Sequence, residues 1–129
     1  MSPSDSYAET LVTVVDDDES VRESLPALLG VLGYTTKAFA SAEEFLASGC
    51  LADTRCLILD VMLPGLSGPE LQRELIRQGH VPPPTIFITA LAGHGTPPDL
   101  LQQQGAVECL FKPFSEQDLR DALDAALVR

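Results

Sequence analysis

The sequence predicts a doubly wound α/β fold, in which one five-stranded parallel sheet has helices packed on both faces. The alternation of elements and the length of the chain lead to this prediction. Short apolar runs of strand length alternate along the chain with segments whose apolar residues recur at helical spacing. Such alternation requires a right-handed crossover after each strand, so all the strands run in one direction. The length of 129 residues fits a single domain.

The predicted strands are mostly continuous apolar runs, as expected when helices cover both faces of a sheet. They are residues 11–15, 35–39, 55–59, 85–88 and 107–111. The first ten residues are polar, and we expect a flexible N-terminus there. The folded domain is expected to cover residues 11–129.

Five helices are predicted between and after the strands. In the first helix, Pro26 should produce a kink. Before the second helix, Ser41 and Glu44 have the spacing of a capping box, in which each side chain bonds the other residue's backbone N–H. Pro69 lies near the first turn of the third helix, and Ser115 should cap the last one.

Four of the predicted strands are followed by residues that carry chemistry. Asp16 and Asp17 follow the first strand, Asp60 the third, Thr89 the fourth and Lys112 the fifth. Because the carboxyl ends of parallel strands meet at one edge of a sheet, these five side chains should converge on one crevice. Independent surface positions rarely converge in this way, which favours a shared site over separate capping or solvated residues.

The residue types in this crevice indicate what it can bind. Three carboxylates this close repel by roughly 4 kcal/mol per pair at 4 Å and intermediate dielectric, so the cluster should hold a proton or a cation. Oxygen ligands with water in the remaining positions suit Mg²⁺ or Mn²⁺. Lys112 and Thr89 are suited to hold the oxygens of a phosphoryl group, while an aspartate beside the metal acts as the nucleophile.

The composition excludes several classes of protein. The formal net charge is −11, from 8 basic and 19 acidic residues, and so acidic a surface repels phosphate backbones and anionic membranes. No apolar stretch approaches the roughly 18 residues of a membrane-spanning helix, and no signal peptide opens the chain. Three cysteines (Cys50, Cys56 and Cys109) cannot all pair. We therefore expect a cytoplasmic protein that contacts neither nucleic acid nor membrane directly.

Together these features resemble the receiver domain of two-component response regulators. The resemblance covers residues 11–127 and depends on four motifs, which are VVDDD at 14–18, LDVMLPGLSG at 59–68, IFITA at 86–90 and FKPF at 111–114. Residues 21–25 and 105–108 are similar to receivers that precede helix-turn-helix transcriptional domains. The resemblance implies a flavodoxin-like (βα)5 fold with strand order 2-1-3-4-5.

The resemblance also implies a role for each acidic residue of the crevice. Asp60 would accept a phosphoryl group from a phosphohistidine of a sensor kinase. Asp17, Asp60 and the backbone carbonyl of Met62 would bind Mg²⁺ directly. Asp16 would act largely through a water molecule on the metal.

The remaining site residues and the partners follow from the same resemblance. Lys112 and Thr89 would each hold a phosphoryl oxygen, and the Lys112–Pro113 bond would be cis. Phosphorylation would then alter the surface that partners or an output domain contact. The partners implied are a sensor histidine kinase, an output domain beyond residue 129 and a second copy of the chain. The protein would not be an enzyme beyond its own phosphorylation and dephosphorylation.

Two features depart from the family pattern. Receivers usually carry an aromatic residue three positions before the lysine, where this sequence has Cys109, which is better explained as a small hydrophobic residue than as a redox sensor. Pro97 and Pro98 leave room for only about two turns of helix between residues 90 and 105. We therefore expect phosphorylation to reorder that segment rather than to turn one aromatic ring.

Two alternative functions stay open from the sequence. Asp16 and Asp18 after the first strand, with Thr89 and Lys112 later, imitate haloacid-dehalogenase-like phosphatases, in which Asp16 would be the nucleophile. That assignment leaves Asp60 unexplained, and the segment after Lys112 lacks the further acidic motif that such enzymes need. The other alternative is a receiver-shaped protein-interaction module that does not switch.

Overall fold

A computed structural model of the chain describes residues 10–89 and 106–127. Its five parallel strands form one sheet in the order β2-β1-β3-β4-β5, which confirms the predicted fold class and strand order. The strands are β1 Leu11–Val15, β2 Thr35–Phe39, β3 Thr54–Asp60, β4 Thr85–Thr89 and β5 Ala106–Phe111. The strand order reverses between β1 and β3, so a ligand crevice is expected at the carboxyl ends of these two strands.

Four α-helices and one short 3₁₀ helix accompany the sheet in the described residues. They are α1 Glu19–Val31, α2 Ala42–Ser48, the 3₁₀ helix Cys50–Asp53, α3 Gly68–Arg77 and α4 Glu116–Leu127. The helix predicted between residues 90 and 105 lies outside the described residues, as do residues 1–9 of the predicted flexible N-terminus. No helix within residues 10–89 and 106–127 has the length and apolar character needed to cross a membrane.

The core forms two layers, one on each face of the sheet, because successive residues of a strand point to opposite faces. Val14 of β1 belongs to one layer and Val15 to the other. The first layer receives Leu25 and Leu29 from α1 with Leu119 and Leu123 from α4, and the second receives Phe45 from α2 with Leu71 and Leu75 from α3. Packing on both sides holds the strands in register, and the register positions the residues at their carboxyl ends.

Two polar residues expected to follow strands are instead their last residues. Asp60 ends β3, where it pairs with Ile88, and Thr89 ends β4, where it pairs with Phe111. The predicted third strand, 55–59, was therefore one residue short at each end, and the fifth, 107–111, began one residue late. Backbone pairing continues past the last apolar side chain because the ladder bonds main-chain groups whatever the side chain.

The predicted capping box before α2 is only half present. The backbone N–H of Glu44 donates to the Ser41 hydroxyl over 3.1 Å, but the Glu44 carboxylate accepts from that hydroxyl over 3.4 Å instead of from the backbone. A complete box forms at the start of α3, where Ser67 and Glu70 bond each other's backbone N–H groups. The sequence analysis did not predict that box.

The other local predictions have mixed outcomes. Ser115 caps α4 as predicted, since it accepts from the backbone N–H of Asp118 over 3.0 Å. The Lys112–Pro113 peptide bond is cis. Helix α1 continues through Pro26. Cys50 is buried and begins the 3₁₀ helix, whose tight turn the sequence does not mark.

Candidate functional site

The sheet brings four of the predicted residues to one edge. Asp16 follows β1 directly, Asp60 and Thr89 are the last residues of β3 and β4, and Lys112 follows β5. Backbone bonds continue the sheet at this edge, since Asp16 N–H donates to the carbonyl of Phe39 over 3.1 Å and Lys112 N–H to that of Thr89 over 2.8 Å. The site residues are therefore held by the sheet itself.

Three carboxylates form the centre of this site. Oxygen atoms of Asp16, Asp17 and Asp60 lie within 4.8 Å of one another. Asp16 and Asp60 are buried, whereas Asp17 is exposed at the mouth of the cluster. The predicted convergence of these three residues is confirmed.

Lys112 provides the positive charge of the site. Its Nζ lies 2.8 Å from Asp16 Oδ2 and 3.4 Å from Asp60 Oδ2. Burial disfavours the charge on Lys112, but the two carboxylates outweigh burial and raise the pKa of its ammonium group above the usual value. Lys112 is therefore fully charged at neutral pH and bridges the carboxylates after β1 and β3.

The surroundings of Asp60 change the pKa of its carboxyl group strongly. The pKa of Asp60 is raised to about 6, mainly by burial and also by the negative charge of Asp16, while the Met62 backbone N–H and Lys112 act in the opposite direction. The Met62 N–H donates to Asp60 Oδ1 over 3.0 Å. One lysine charge thus compensates only part of the cost of keeping these carboxylates ionised.

The donor set fits a divalent cation. Asp16 Oδ2 is buried and lies 2.8 Å from Lys112 Nζ in an ion pair, but it has no hydrogen-bond partner among the described residues. One ammonium group faces three carboxylates here, so the cluster can accommodate further positive charge. Carboxylate oxygens are the ligands that Mg²⁺ and Mn²⁺ prefer. Asp16, Asp17 and Asp60 therefore fit such an ion.

Residues that the sequence analysis did not single out hold the aspartates in place. Arg22 of α1 donates from Nη1 to the carbonyl of Asp16 over 3.1 Å, and Asp18 N–H donates to Asp16 Oδ1 over 2.8 Å. A Cβ at Gly68 would lie 2.6 Å from the carbonyl oxygen of Asp60, so only glycine fits where α3 begins. The glycine could have been suspected from the motif at 59–68, but nothing in the sequence marks Arg22 as a support.

The remaining site predictions are only partly covered by the described residues. Thr89 is buried at the end of β4, and its proposed contact with a phosphoryl oxygen stays a prediction. Cys109 forms no disulfide and packs, half-buried, against the second core layer, as expected of a small hydrophobic residue. The expectations for the segment 90–105, including its reordering, fall outside the described residues.

Comparison with known proteins agrees with this site. The response regulator receiver domain family matches residues 12–124. Nodulation protein W of Bradyrhizobium diazoefficiens is 45% identical over 128 residues, which are 97% of this chain and 54% of that protein. The C4-dicarboxylate transport transcriptional regulatory protein DctR of Rhodobacter capsulatus is 40% identical over 119 residues, which are 90% of this chain and 59% of that protein. The chain thus spans little more than half the length of these relatives.

The solved structures lead to the same assignment. The response regulator StyR superposes with a TM-score of 0.83 at 40% identity, over 94% of this chain and 60% of that chain. The family match covers all of the sheet but Leu11 and includes every site residue that the structure brings together. The chain therefore belongs to the response regulator receiver domain family of two-component signalling systems.

Proposed function

We propose that this receiver domain is a phosphoryl-group acceptor, in which a sensor histidine kinase transfers a phosphoryl group to Asp60 in the presence of Mg²⁺ or Mn²⁺. One observation carries the proposal: Asp60 lies in a cluster of three carboxylates and also 3.4 Å from Lys112 Nζ. A cation-binding cluster and a fixed ammonium group beside the same carboxylate are what phosphoryl transfer to an aspartate requires.

The transfer exchanges one bond of phosphorus for another. An oxygen of the Asp60 carboxylate attacks the phosphorus of a phosphohistidine, and a P–O bond forms as the P–N bond breaks. The electron pair of the P–N bond stays on the imidazole nitrogen of the kinase, which takes up a proton from solvent. The product is an aspartyl phosphate at position 60.

The chain's own residues prepare this step. With its pKa near 6, Asp60 is mostly ionised at neutral pH and therefore available as a nucleophile. The Met62 N–H fixes one carboxylate oxygen, which leaves the other, 3.4 Å from Lys112 Nζ, on the side of the ammonium group. Lys112 can then hold an oxygen of the incoming phosphoryl group, and we assign a second such oxygen to Thr89.

The metal site belongs to the same proposal. Asp17 and Asp60 with the backbone carbonyl of Met62 would hold Mg²⁺ or Mn²⁺ directly, and Asp16 would act through water. When bound, the ion neutralises charge on the phosphoryl oxygens as they approach the carboxylates. The buried oxygen of Asp16 that lacks a hydrogen-bond partner in the described residues supports this assignment.

The proposal also includes the effect of phosphorylation on the contacts of the domain with other domains or copies. One relative is itself a transcriptional regulatory protein, and its length exceeds that of the matched region. We infer that phosphorylation changes a surface that contacts an output domain or a second copy of the chain. The protein's only chemistry would be its own phosphorylation and dephosphorylation.

The two alternatives of the sequence analysis have less support. The family match and relatives are response regulators, which argues against a haloacid-dehalogenase-like phosphatase with Asp16 as nucleophile. Asp16 is also fully buried beneath Asp17, where a substrate would reach it last. A receiver-shaped module that is not phosphorylated would not require the ammonium group of Lys112 beside Asp60.

Intact mass spectrometry tests the proposal. The chain is incubated with phosphoramidate or acetyl phosphate and Mg²⁺, and it should gain the mass of one phosphoryl group. Asp60→Asn should gain none, because the amide is not a nucleophile. Asp53→Asn removes an exposed aspartate of the 3₁₀ helix and should be labelled like the unmodified chain.

Two results would contradict the proposal. One is equal labelling of Asp60→Asn and the unmodified chain, which would assign the phosphoryl group to another residue. The other is undiminished labelling in excess EDTA, which would separate the acidic cluster from the chemistry.

A further inference from the structure

We propose that Glu43, on helix α2, is a positioning residue for the phosphoacceptor loop, defined here as residues 61–67 between β3 and α3. Glu43 lies outside the carboxylate cluster, and its role would be to hold the loop backbone in the shape that serves Asp60 and the cation. The inference rests on the proposed function, since it assigns to Glu43 an effect on the affinity of the same site for Mg²⁺.

The base of the loop is fixed by its own residues. The Met62 N–H donates to Asp60 Oδ1 over 3.0 Å, and the Gly68 N–H donates to the carbonyl of Val61 over 3.3 Å. Gly68 also packs directly on the Asp60 carbonyl. These contacts close the loop where it leaves β3 and enters α3, and the side chains of Leu63 and Leu66 anchor it on the second core layer. None of them fixes the backbone N–H of Leu66.

The tip is held by Glu43 from a different element. Glu43 Oε2 accepts a hydrogen bond from the backbone N–H of Leu66 over 3.1 Å, across 23 positions of sequence. At Gly65, which has a φ of +74°, a Cβ would lie 2.9 Å from the same carboxylate oxygen. The loop thus has a glycine where the carboxylate comes closest, and its next N–H points at that oxygen. Both distances describe the same position of one carboxylate oxygen against the loop backbone.

The contact joins two segments that both adjoin the site. Glu43 lies in the first turn of α2, which follows β2 at the same edge of the sheet as the carboxylates. The loop backbone also donates to side chains of the flanking elements, from Met62 to Asp60 and from Ser67 to Glu70, whereas Glu43 reaches it from a helix that is distant in sequence. Its carboxylate is exposed, so the bond contributes little to global stability, and its effect is confined to the loop.

The expected consequence concerns the cation. Met62 lies in this loop, and the proposed cation site uses its backbone carbonyl. Without the bond at Leu66 the loop samples other shapes, and binding must then select the competent one, which lowers the apparent affinity for Mg²⁺. Loss of one hydrogen bond of this kind corresponds to about a three- to tenfold change in an equilibrium constant.

Two measurements on the full chain test the inference. The first is hydrogen exchange of the Leu66 amide by NMR in metal-free protein, which reports the contact itself. The second is a titration with Mg²⁺ alone, followed through the amide shifts of Met62 and its neighbours. Both are made on Glu43→Ala, Glu43→Gln and Glu44→Ala, of which the last removes a carboxylate from the same turn without touching the loop.

The inference expects a specific pattern. Glu43→Ala should lose protection at Leu66 and bind Mg²⁺ about three- to tenfold more weakly. Glu43→Gln keeps an acceptor oxygen and should recover most of both effects, whereas Glu44→Ala should match the unmodified chain. A purely electrostatic effect would instead weaken binding equally in Glu43→Gln and Glu43→Ala, because both lose the charge, and that result would overturn the inference.

The remaining outcomes separate the inference from the proposed function. If the unmodified chain binds Mg²⁺ and Glu43→Ala binds it equally well, the positioning role is wrong and the proposed function stands. If the unmodified chain shows no shifts with Mg²⁺, the proposed function fails and with it the role of Glu43 toward the cation. Unchanged Leu66 exchange in Glu43→Ala would overturn the contact independently of any metal.

Discussion

The two halves of the sheet bury polar groups in opposite ways. Near the starts of β3 and β4 the buried polar side chains are neutral and bond one another: the hydroxyls of Thr13 and Thr54 are 2.8 Å apart, and Gln72 Nε2 donates to Thr85 Oγ1 over 2.6 Å. At the carboxyl ends of the strands, beside the neutral Thr89, lie the buried carboxylates of Asp16 and Asp60, which crowd one another and the exposed Asp17.

The hydrogen-bond partners differ in the same way. The Thr54 hydroxyl donates to the Cys50 carbonyl and the Thr85 hydroxyl to that of Pro83, each within 3 Å. The neutral Gln72 Oε1 is the one buried side-chain oxygen of this half without a hydrogen-bond partner among the described residues. At the other end the pKa of Asp60 is raised to about 6, and Asp16 Oδ2 lacks a hydrogen-bond partner in the described part of the chain. One half is arranged for stability, and the other accepts a cost in stability to keep charges ready for a ligand.

Among the substitutions that test this contrast, Lys112→Ala should have the largest effect, which is a slower phosphorylation of Asp60. In Lys112→Ala the carboxylates lose their nearby positive charge, and the phosphoryl oxygens lose a partner. Removing one fixed donor of this kind slows a reaction by about 100-fold or more, so labelling of Asp60 by phosphoramidate should slow by that factor. Rates come from quenched time courses read by intact mass. Lys37→Ala, on exposed β2, is the matched control and should leave the rate unchanged.

The opposite half should respond in stability and not in rate. Thr54→Val conserves shape but removes a hydroxyl that contacts both the Cys50 carbonyl and Thr13, so we expect a loss of about 1–3 kcal/mol in the free energy of unfolding. Urea denaturation measures it, with Thr36→Val on β2 as the control. A Thr54→Val chain of normal stability but slow phosphorylation would contradict the division between the halves.

The smallest effect has an unusual sign, because Asp60→Asn should stabilise the metal-free protein. The pKa of Asp60 rises from 3.8 to about 6 on folding, so the folded state holds its proton more tightly than the unfolded chain. The stability that Asp60 contributes is therefore fully present below pH 3.8 and is lost as the pH rises to about 6. Asparagine does not titrate. The gain in the free energy of unfolding of Asp60→Asn over the unmodified chain should therefore be absent at low pH. It should reach about 1–2 kcal/mol above pH 6, after allowance for solvent screening.

Urea denaturation of both chains in EDTA across this pH range checks the sign. Mg²⁺ should reduce the difference above pH 6, since it stabilises only the form that binds it. If Asp60→Asn were less stable at every pH, the ionised Asp60 carboxylate would not destabilise the folded state, and the contrast between the two halves would be wrong.

The sequence predicted the sheet and the convergence at its edge because both depend on one strong pattern. Apolar runs bounded by polar residues fix the strands, and parallel topology then brings Asp16, Asp60, Thr89 and Lys112 together without further information. The short 3₁₀ helix that buries Cys50 has no such pattern, because four residues are too few to show a period.

Individual side-chain hydrogen bonds near the site could not be predicted from the pattern of apolar and polar residues. Whether Glu44 bonds the Ser41 backbone or its hydroxyl is a choice between rotamers of nearly equal energy. The bond from Leu66 to Glu43 joins two elements whose relative position is set only by packing of α2 and α3 on the sheet. Periodicity assigns Glu43 to an exposed helix turn and says nothing of what it faces.

The contact at Gly68 has a mechanical consequence for the domain. Helix α3 begins at this residue, and the space where a Cβ would stand is already filled by the Asp60 carbonyl and the Val61 Cα. No flexible side chain separates the peptide that follows Asp60 from the first turn of the helix. A displacement of that peptide toward the helix is therefore passed directly to the first turn of α3.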